Sequence, residues 1–157
     1  MKLTFVSPLT PLEKLIRTVC KKYFIIRTSW VFGGTDCYIK KLLNNPSKII
    51  MSNLEIINPT YIKDLCYSIN KIMKTDFYGI YNCVNDNYCT KKDVLQYILE
   101  INGIEKKVVS LPETYLDTIT PRPSFNALNT SLINNCFDIH LPSWQERVNE
   151  YCGISLK

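Results

Sequence analysis

Short runs of apolar and β-branched residues alternate along this chain with longer segments in which apolar residues recur at helical spacing. The runs 23–32 and 79–84 predict strands, and the segments 61–74 and 91–101 predict helices. Strands that alternate with helical segments of about ten residues or more are typical of α/β folds with a mainly parallel sheet. The sequence therefore predicts an α/β fold.

Further short elements fit the same alternation. They are strands at 48–51, 55–57 and 107–111, and helices at 8–22, 38–44, 131–134 and 143–151. The run 23–32 predicts a strand buried on both faces, of the type that parallel sheets use. A link rich in proline separates the last strand from the two terminal helices.

Particular residues are expected to begin, end and orient the longer helices. Thr60 is the predicted N-cap of the helix 61–74, and Thr90 is that of the helix 91–101, which Gly103 ends. The apolar positions that share one helix face are Leu12, Leu15, Ile16 and Val19 in the first helix, Ile62, Leu65, Ile69 and Ile72 (predicted inward) in the second, and Val94, Leu95, Ile98 and Leu99 in the third.

The composition is that of one folded domain outside the membrane. At 157 residues and 46% hydrophobic, the chain is long enough to bury one core over 1–157, and a charged fraction of 21% argues against disorder. No apolar run approaches the roughly 18–20 residues that a membrane span needs. The apolar stretch at the start is too short for a secretory signal, so a cytoplasmic location is expected.

The net charge of +5 comes from scattered lysine pairs and not from one basic block. A nucleic-acid footprint would cluster these charges among aromatic residues, so no nucleic-acid partner is predicted. The same mild charge suits an anionic ligand such as a nucleotide diphosphate.

Seven cysteines, an odd number without a Cys-x-x-Cys pair, predict free and reduced thiols. Cys20, Cys66 and Cys83 fall where a helix or strand would place a core residue. The chain has one histidine, His140, and no Cys-x-x-Cys pair, so no zinc site is predicted. A cysteine nucleophile would need a histidine base, and His140 follows a predicted turn, so no nucleophilic cysteine is predicted.

The glycines decide whether the chain can hold a dinucleotide. They stand at 33, 34, 79, 103 and 153, with none in the first thirty residues and none at G-x-G-x-x-G spacing. A dinucleotide fold needs a glycine-rich turn so that the backbone can approach the pyrophosphate. The sequence therefore predicts that this chain has no phosphate-binding loop of its own.

Five segments resemble, in order and spacing, the dTDP-4-dehydrorhamnose reductases. They are Phe-Ile-Ile-Arg-Thr-Ser-Trp-Val-Phe-Gly at 24–33, Asn-Pro-Thr-Tyr-Ile-Lys-Asp-Leu at 58–65, Gly-Ile-Tyr-Asn at 79–82, Thr-Pro-Arg-Pro-Ser at 120–124, and the terminal segments 129–132 and 144–151. The resemblance covers about residues 8–152. It implies an extended short-chain dehydrogenase fold entered partway through: a partial Rossmann-like parallel sheet with the small substrate-binding subdomain, and without the amino-terminal dinucleotide half.

The family's catalytic pair, as the resemblance implies it, is Tyr-x-x-x-Lys on the helix before the Arg-Thr-Ser-Trp strand. Tyrosine acts there as general acid, and lysine lowers its pKa and binds the nicotinamide ribose. Counting back from Arg27 places Phe5 and Leu9 at these positions, or Leu12 and Ile16 if seven residues are deleted. Neither alignment supplies a phenol or an amine, so no catalytic residue is predicted.

The substrate side of the family is partly present. By resemblance, Trp30 lines the sugar-nucleotide pocket, although a buried strand tryptophan is an equal alternative, and Tyr38 is a further substrate-binding candidate. Arg122, held between two prolines, is placed to pair with phosphate oxygens, with a surface salt bridge as the alternative. Arg27 is expected to anchor the end of its strand.

Two departures from the family weaken the pocket. Cys37 stands where the family has asparagine, and 54–57 replaces its "D-Q-x-G" loop. The favoured interpretation is a truncated reductase homologue, inactive alone, which does not itself bind the NADPH or NADH that the family implies. A binding or regulatory module, and the substrate-side half of a split reductase, stay open. Three partners also stay open: a nucleotide-sugar ligand, a second copy of the chain in a homo-oligomer, and a partner chain that carries the missing half.

Overall fold

The computed structural model describes residues 11–34, 39, 49–51, 55–110 and 124–153. Its helices are α1 (Pro11–Val19), α2 (Ile62–Ile72), α3 (Lys91–Ile101), α4 (Ser131–Phe137) and α5 (Trp144–Cys152). Its strands are β1 (Phe24–Arg27), β2 (Val31–Phe32), β3 (Ile49–Met51), β4 (Ile56–Ile57), β5 (Thr60–Tyr61), β6 (Gly79–Asn82), β7 (Cys89–Thr90) and β8 (Val108–Ser110). The predicted helix 38–44 and the proline-rich link lie outside the described residues, apart from Ile39.

The strands pair mainly in parallel, which confirms the predicted α/β class. β1 pairs with β6, β2 with β5 and β3 with β8, all in parallel. β4 and β7 form an antiparallel pair, which the sequence did not predict. Within the described ranges the strands form four two-stranded sheets, whereas the sequence predicted one sheet.

The prediction of one buried strand over 23–32 is wrong. The chain forms β1, breaks at 28–30, and continues as β2. All four residues of β1 are only half-buried, and Val31 is exposed while Phe32 is buried. The break occurs because the two pieces have different partners: Arg27 pairs with Asn82 on β6, whereas the residues after the break pair with β5.

Helix α1 does not bury the apolar face that its sequence shows. Leu12, Leu15 and Val19 are 65%, 59% and 69% exposed and Ile16 is half-buried, whereas Glu13 is buried. The Glu13 carboxylate accepts two hydrogen bonds from Arg27 at the end of β1. The predicted anchoring role of Arg27 is thereby confirmed, and α1 packs on the protein by the edge that holds Glu13 and the half-buried Ile16.

Helix α2 differs from its prediction at its start. Thr60 is not the N-cap, because it belongs to β5, is fully buried, and its hydroxyl donates to the carbonyl of Asn58. Tyr61 occupies the cap position without a side-chain cap hydrogen bond. Ile62 is exposed, contrary to prediction, while Asp64 and Ser68 are buried together with Ile72. The inward face of α2 is therefore partly polar.

Helix α3 agrees with its prediction throughout. The Thr90 side chain accepts a hydrogen bond from the backbone of Asp93, whose carboxylate in turn accepts from the backbone of Thr90. This capping box satisfies amide groups that the first helical turn leaves without partners. Gly103 follows the helix with φ of 62°, a conformation that glycine adopts at low cost. Four predicted apolar residues are buried: Val94, Leu95, Ile98 and Leu99.

The buried side chains form two main clusters, to which the terminal helices contribute. One consists of Phe32, Ile39, Tyr61, Val94, Ile98, Trp144 and Val148. The other consists of Ile72, Tyr81, Cys83, Ile133, Phe137 and Ile139. Both terminal helices occur as predicted, and the Ser143 hydroxyl caps α5 by accepting from the backbone of Glu146. Within the described part of the chain, no helix has the length and apolar character needed to cross a bilayer.

Candidate functional site

The ends of β1 and β6 place the candidate site. The two strands are parallel, and Arg27 and Asn82 end them side by side. Ligands of parallel α/β proteins bind outside the carboxyl ends of the strands. The loop after β1 contains Trp30, and the loop after β6 contains Asn85. These loops and β5 between them form the framework of the site.

Trp30 lies in this framework. Its carbonyl accepts a hydrogen bond from the backbone of Thr60 at 2.8 Å, which joins the loop after β1 to β5. Its side chain is half-buried and packs against the core cluster that contains Phe32 and Tyr61. Part of the indole is thus structural and part is open to solvent. The role of Trp30 as a wall of the sugar-nucleotide pocket stays a prediction.

Asn85 fixes the loop after β6. Its side chain is fully buried, its Oδ1 accepts from the backbone of Tyr61 at 2.7 Å, and its Nδ2 donates to Asp64 at 2.6 Å. The same Nδ2 donates to the carbonyl of Pro142 at 3.0 Å. Arg147 completes the network by donating from Nε to Asp64 at 2.7 Å. The network ties four chain segments together beneath the site.

A second buried amide, Asn58, holds another part of the framework. Its Nδ2 donates to the carbonyl of Asn87 at 2.9 Å, and its Oδ1 accepts from the backbone of Leu128 at 2.7 Å. Asn87 has φ of 66°, so the loop after β6 turns sharply here. Neither Asn58 nor Asn85 was predicted as a site residue, because the sequence gives no signal that pairs them with partners so far along the chain.

The segment after the predicted phosphate ligand is fixed to β4. The backbone of Ile56 donates to the carbonyl of Ser124, and that of Asn126 donates to the carbonyl of Ile56, both at 2.9 Å. Arg122 itself, two residues earlier in the sequence, lies outside the described residues, as does Tyr38. The predicted roles of these two residues therefore stay predictions.

Two exposed aromatic rings meet at the end of this segment. Tyr88 and Phe125 are 60% and 46% exposed, with ring centroids 5.6 Å apart and planes at 70°. They meet because Phe125 bridges to Ile56 on β4, while β4 pairs with β7 directly after Tyr88. Rings that present a face to solvent can stack on a nucleobase. Sequence reasoning missed this pair.

A surface cleft of about 420 Å³ is lined by Tyr61 and by side chains of α2 and α5. Its cations are already paired: Lys63 lies 3.1 Å from Glu150, and Arg147 lies 2.6 Å from the same carboxylate. The hydrogen bond from Lys63 is the main cause that lowers the pKa of Glu150; burial opposes it, and the charge of Arg147 adds to it. Because its charges are satisfied internally, this cleft is a weaker candidate for binding phosphate.

The described cysteines are free thiols, but their positions only partly match the prediction. Cys83 is buried as expected, whereas Cys20 and Cys66 are exposed and do not belong to the core. Burial raises the pKa of Cys83, and it raises that of Cys89 to about 12. A high pKa keeps the thiol protonated and is the opposite of what a nucleophile needs.

The described residues contain no group of three side chains able to hold a metal ion. The imidazole of His140, the residue considered in the zinc prediction, lies 3.3 Å from the carboxylate of Asp138, and both side chains are largely exposed. This contact is an ordinary surface pair.

The spacing Tyr-x-x-x-Lys does occur at two other places, Tyr67 with Lys71 and Tyr88 with Lys92. The ammonium of Lys71 donates to the carbonyl of Asp138 at 2.8 Å, and that of Lys92 donates to the hydroxyl of Ser110 at 3.1 Å. Tyr88 precedes α3, so it does not share a helix with Lys92. Neither pair stands on the helix before β1, and α1 contains no tyrosine.

Known proteins resemble this chain over about half of their length. The spore coat polysaccharide biosynthesis protein SpsK of Bacillus subtilis is 32% identical over 143 residues, which are 88% of this chain and 50% of SpsK. A dTDP-4-dehydrorhamnose reductase of Shigella flexneri is 27% identical over 149 residues, 85% of this chain and 50% of the reductase. The chain thus spans about half the length of the curated relatives it matches.

A solved structure agrees with these relatives. The dTDP-4-dehydrorhamnose reductase of Bacillus anthracis, crystallised with NADP, superposes with a TM-score of 0.80 at 26% identity, over 89% of this chain and 51% of that one. The family model described as the RmlD substrate binding domain matches residues 9–155. With nearly its whole length matched, this chain belongs to the RmlD substrate-binding domain family.

Proposed function

We propose that this chain is the sugar-nucleotide-binding part of a reductase for a dTDP-4-keto-6-deoxy sugar, and that it transfers no hydride by itself. Its relatives include dTDP-4-dehydrorhamnose reductases, of which it spans about half. The observation that carries the proposal is the helix before β1: α1 reads Pro-Leu-Glu-Lys-Leu-Ile-Arg-Thr-Val and has no phenol to give a proton to the substrate oxygen.

The residues of this chain do not fit a dinucleotide. NADPH or NADH would supply the hydride in such a reaction, but its pyrophosphate needs close approach to a glycine-rich turn. The five glycines provide no such turn, and a glycine-free loop keeps its Cβ atoms in the way of the phosphates. No step through the cofactor is therefore assigned to this chain.

The framework around β5 suits the other half of the task, which is to hold the sugar nucleotide. Tyr88 and Phe125 offer aromatic faces for the thymine ring, and a part of Trp30 is open beside β5. Arg122, by resemblance, would pair with the diphosphate. The buried amides Asn58 and Asn85 hold the loop after β6 that carries Tyr88, so that little ordering of this loop is left for the ligand to induce.

Calorimetric titration of the purified chain with dTDP tests the binding proposal. We expect binding, and we expect Tyr88→Ala to weaken it roughly tenfold by removing one stacking face. Tyr67→Ala is the matched control, because Tyr67 is 56% exposed but lies on α2 away from Phe125. An unchanged affinity in Tyr88→Ala, or an equal loss in both variants, would count against the assigned site.

A parallel assay tests the absence of catalysis. The chain is mixed with NADPH and a dTDP-4-keto-6-deoxy sugar, and the absorbance of NADPH is followed. We expect no oxidation above the buffer rate and no stoichiometric binding of NADPH. Enzymatic turnover by the chain alone would refute the proposal.

A non-catalytic binding module is the second candidate, and the exposed apolar face of α1 is the observation that favours it. If the chain is such a module, a stable partner protein should co-purify with it, and it should show no affinity for dTDP. The same calorimetric titration therefore separates the two candidates.

A further inference from the structure

Asn58 is a buried side chain that bonds to both chain segments that carry the exposed rings. It follows β4 directly and is only 5% exposed. Its Nδ2 donates at 2.9 Å to the carbonyl of Asn87, which directly precedes Tyr88. Its Oδ1 accepts at 2.7 Å from the backbone of Leu128, in the segment that begins with Phe125. The amide thus uses its donor on one ring-bearing segment and its acceptor on the other.

Strand β4 lies between the same two segments. Phe125 bridges to Ile56 on one side of the strand, and Thr90 of β7 pairs with Ile56 on the other. Side chains of a strand alternate between its two faces, so Tyr88 lies on the same face as Thr90. Both rings therefore stand on one face of this unit, where their planes meet at 70° and form an open corner.

The strands do not hold the two rings equally. Phe125 is flanked on both sides by backbone hydrogen bonds to β4. Tyr88 lies outside β7, whose pairing with β4 ends at Cys89. The carbonyl of Asn87 belongs to the planar peptide unit that leads into Tyr88. By bonding to this carbonyl, Asn58 holds that unit where strand pairing no longer does.

The backbone at Asn87 makes this bond more important. Asn87 has φ of 66°, a left-handed conformation that residues other than glycine adopt only at a cost. A backbone in such a conformation persists only while its surroundings hold it there. Loss of the bond from Asn58 is therefore expected to let the loop relax and to turn Tyr88 away from Phe125.

We propose that Asn58 is a positioning residue that holds Tyr88 and Phe125 as a preformed corner for the thymine ring of the ligand. The inference rests on the proposed function, because that function assigns the two rings to the nucleobase. Since Asn58 is buried, it acts on a ligand only through the rings that it positions. A corner that exists before the ligand arrives lowers the ordering cost of binding.

The first test observes the corner itself. Nuclear Overhauser contacts between the labelled rings of Tyr88 and Phe125 are measured in the ligand-free chain. We expect these contacts in the parent chain and their loss in Asn58→Leu. Leucine has nearly the shape of asparagine but neither donor nor acceptor, and it adds no charge beside an anionic ligand. Asn58→Ala replaces this variant if it does not fold, and the contacts in the parent chain test the corner without any substitution.

The second test measures the affinity for dTDP by calorimetric titration. Asn58→Leu should weaken binding roughly tenfold, as Tyr88→Ala does. The double variant should bind no more weakly than Tyr88→Ala alone, because a positioning residue has no effect once its ring is gone. Asn149→Ala is the matched control: Asn149 is also buried, and its side chain accepts from the hydroxyl of Tyr97 on α3. It should keep both the ring contacts and the affinity.

Three results would overturn the inference: no ring contacts in the ligand-free parent chain, contacts that persist in Asn58→Leu, or losses of affinity that add in the double variant. Failure of the proposed function looks different. A parent chain that does not bind dTDP, but loses its ring contacts in Asn58→Leu, removes the nucleotide site and leaves Asn58 as the residue that positions the rings. Binding of dTDP that Asn58→Leu does not weaken removes the inference and leaves the function.

Discussion

Arg27 at the end of β1 and Glu13 on α1 form a two-point ion pair, with N–O distances of 2.8 and 3.1 Å. The side chains are 27% and 11% exposed, so both charges are partly removed from water. The hydrogen bond with Glu13 is the main cause that raises the pKa of Arg27. With Glu13 turned inward, Leu12, Leu15 and Val19 on α1 face solvent. One ion pair thus sets the rotation of the helix.

Glu13→Gln should lower the free energy of unfolding by about 1–3 kcal/mol, because it leaves the guanidinium of Arg27 without its charged partner. Urea unfolding followed by circular dichroism measures the change. Lys63→Gln is the control: the lysine side chain of the Lys63–Glu150 pair is 71% exposed, and water screens such pairs. A loss in Glu13→Gln no larger than in the control would contradict the structural role of the pair.

Asn85→Ala should be more costly than an ordinary surface substitution. It removes the acceptor of the buried amide of Tyr61 and a donor to Asp64, and an orphaned buried polar group costs about 1–3 kcal/mol. We expect a loss of about 2–4 kcal/mol in urea unfolding. Asn82→Ala, whose amide bonds to the carbonyl of Asn129 near the surface, should lose much less. Similar losses of unfolding free energy in the two variants would show that the hydrogen bonds of Asn85 contribute no more to stability than the bond of Asn82.

The elements that the sequence predicted well are those with local causes. The capping box of Thr90 and Asp93 spans three residues, and the buried face of α3 follows from helical spacing within the helix. Such interactions can be seen in a short window of sequence. The stop at Gly103 has the same local origin.

The failures have distant causes. Asp64 faces inward on α2 because its partners Asn85 and Arg147 lie 21 and 83 residues away, and no local pattern announces them. The resemblance identified the segments that hold Trp30 and Arg122, but the contact of Tyr88 with Phe125 depends on strand pairing that the sequence did not reveal. The sequence was therefore enough to predict the family, but not the contacts between distant residues that build the framework of the site.

Gly33→Ala should destabilise the turn after β2 by about 2–4 kcal/mol, for two reasons that add. Gly33 has φ of 105°, which strains any L side chain, and an added Cβ would stand 2.5 Å from the ring of Tyr61. Thermal unfolding measures the loss. The neighbouring Gly34→Ala is a close control, because a Cβ there meets nothing within 4 Å. Equal melting temperatures of the two variants would contradict the crowding at Gly33.

Acid should weaken the protein partly through Glu150. Lys63 and Arg147 stabilise its carboxylate in the folded state, so its pKa is lowered below the usual value of about 4.5. As the pH falls below that value, the unfolded chain takes up a proton before the folded chain does. The stability that the carboxylate contributes is therefore present above this pH and is lost as the pH falls through the folded pKa.

Glu150→Gln should remove this part of the acid sensitivity, so that the urea midpoint falls less between about pH 6 and about pH 3 than in the parent chain. Gln96→Ala, on the exposed face of α3, is the control, because it changes no ionisable group. The neutral amide of Glu150→Gln cannot form an ion pair with Lys63 at any pH. The variant should therefore be slightly less stable than the parent chain at about pH 6. The two stabilities should converge in acid, where Glu150 of the parent chain is also neutral. Parallel curves for the two proteins would mean that the contacts of Glu150 with Lys63 and Arg147 contribute nothing to stability in solution.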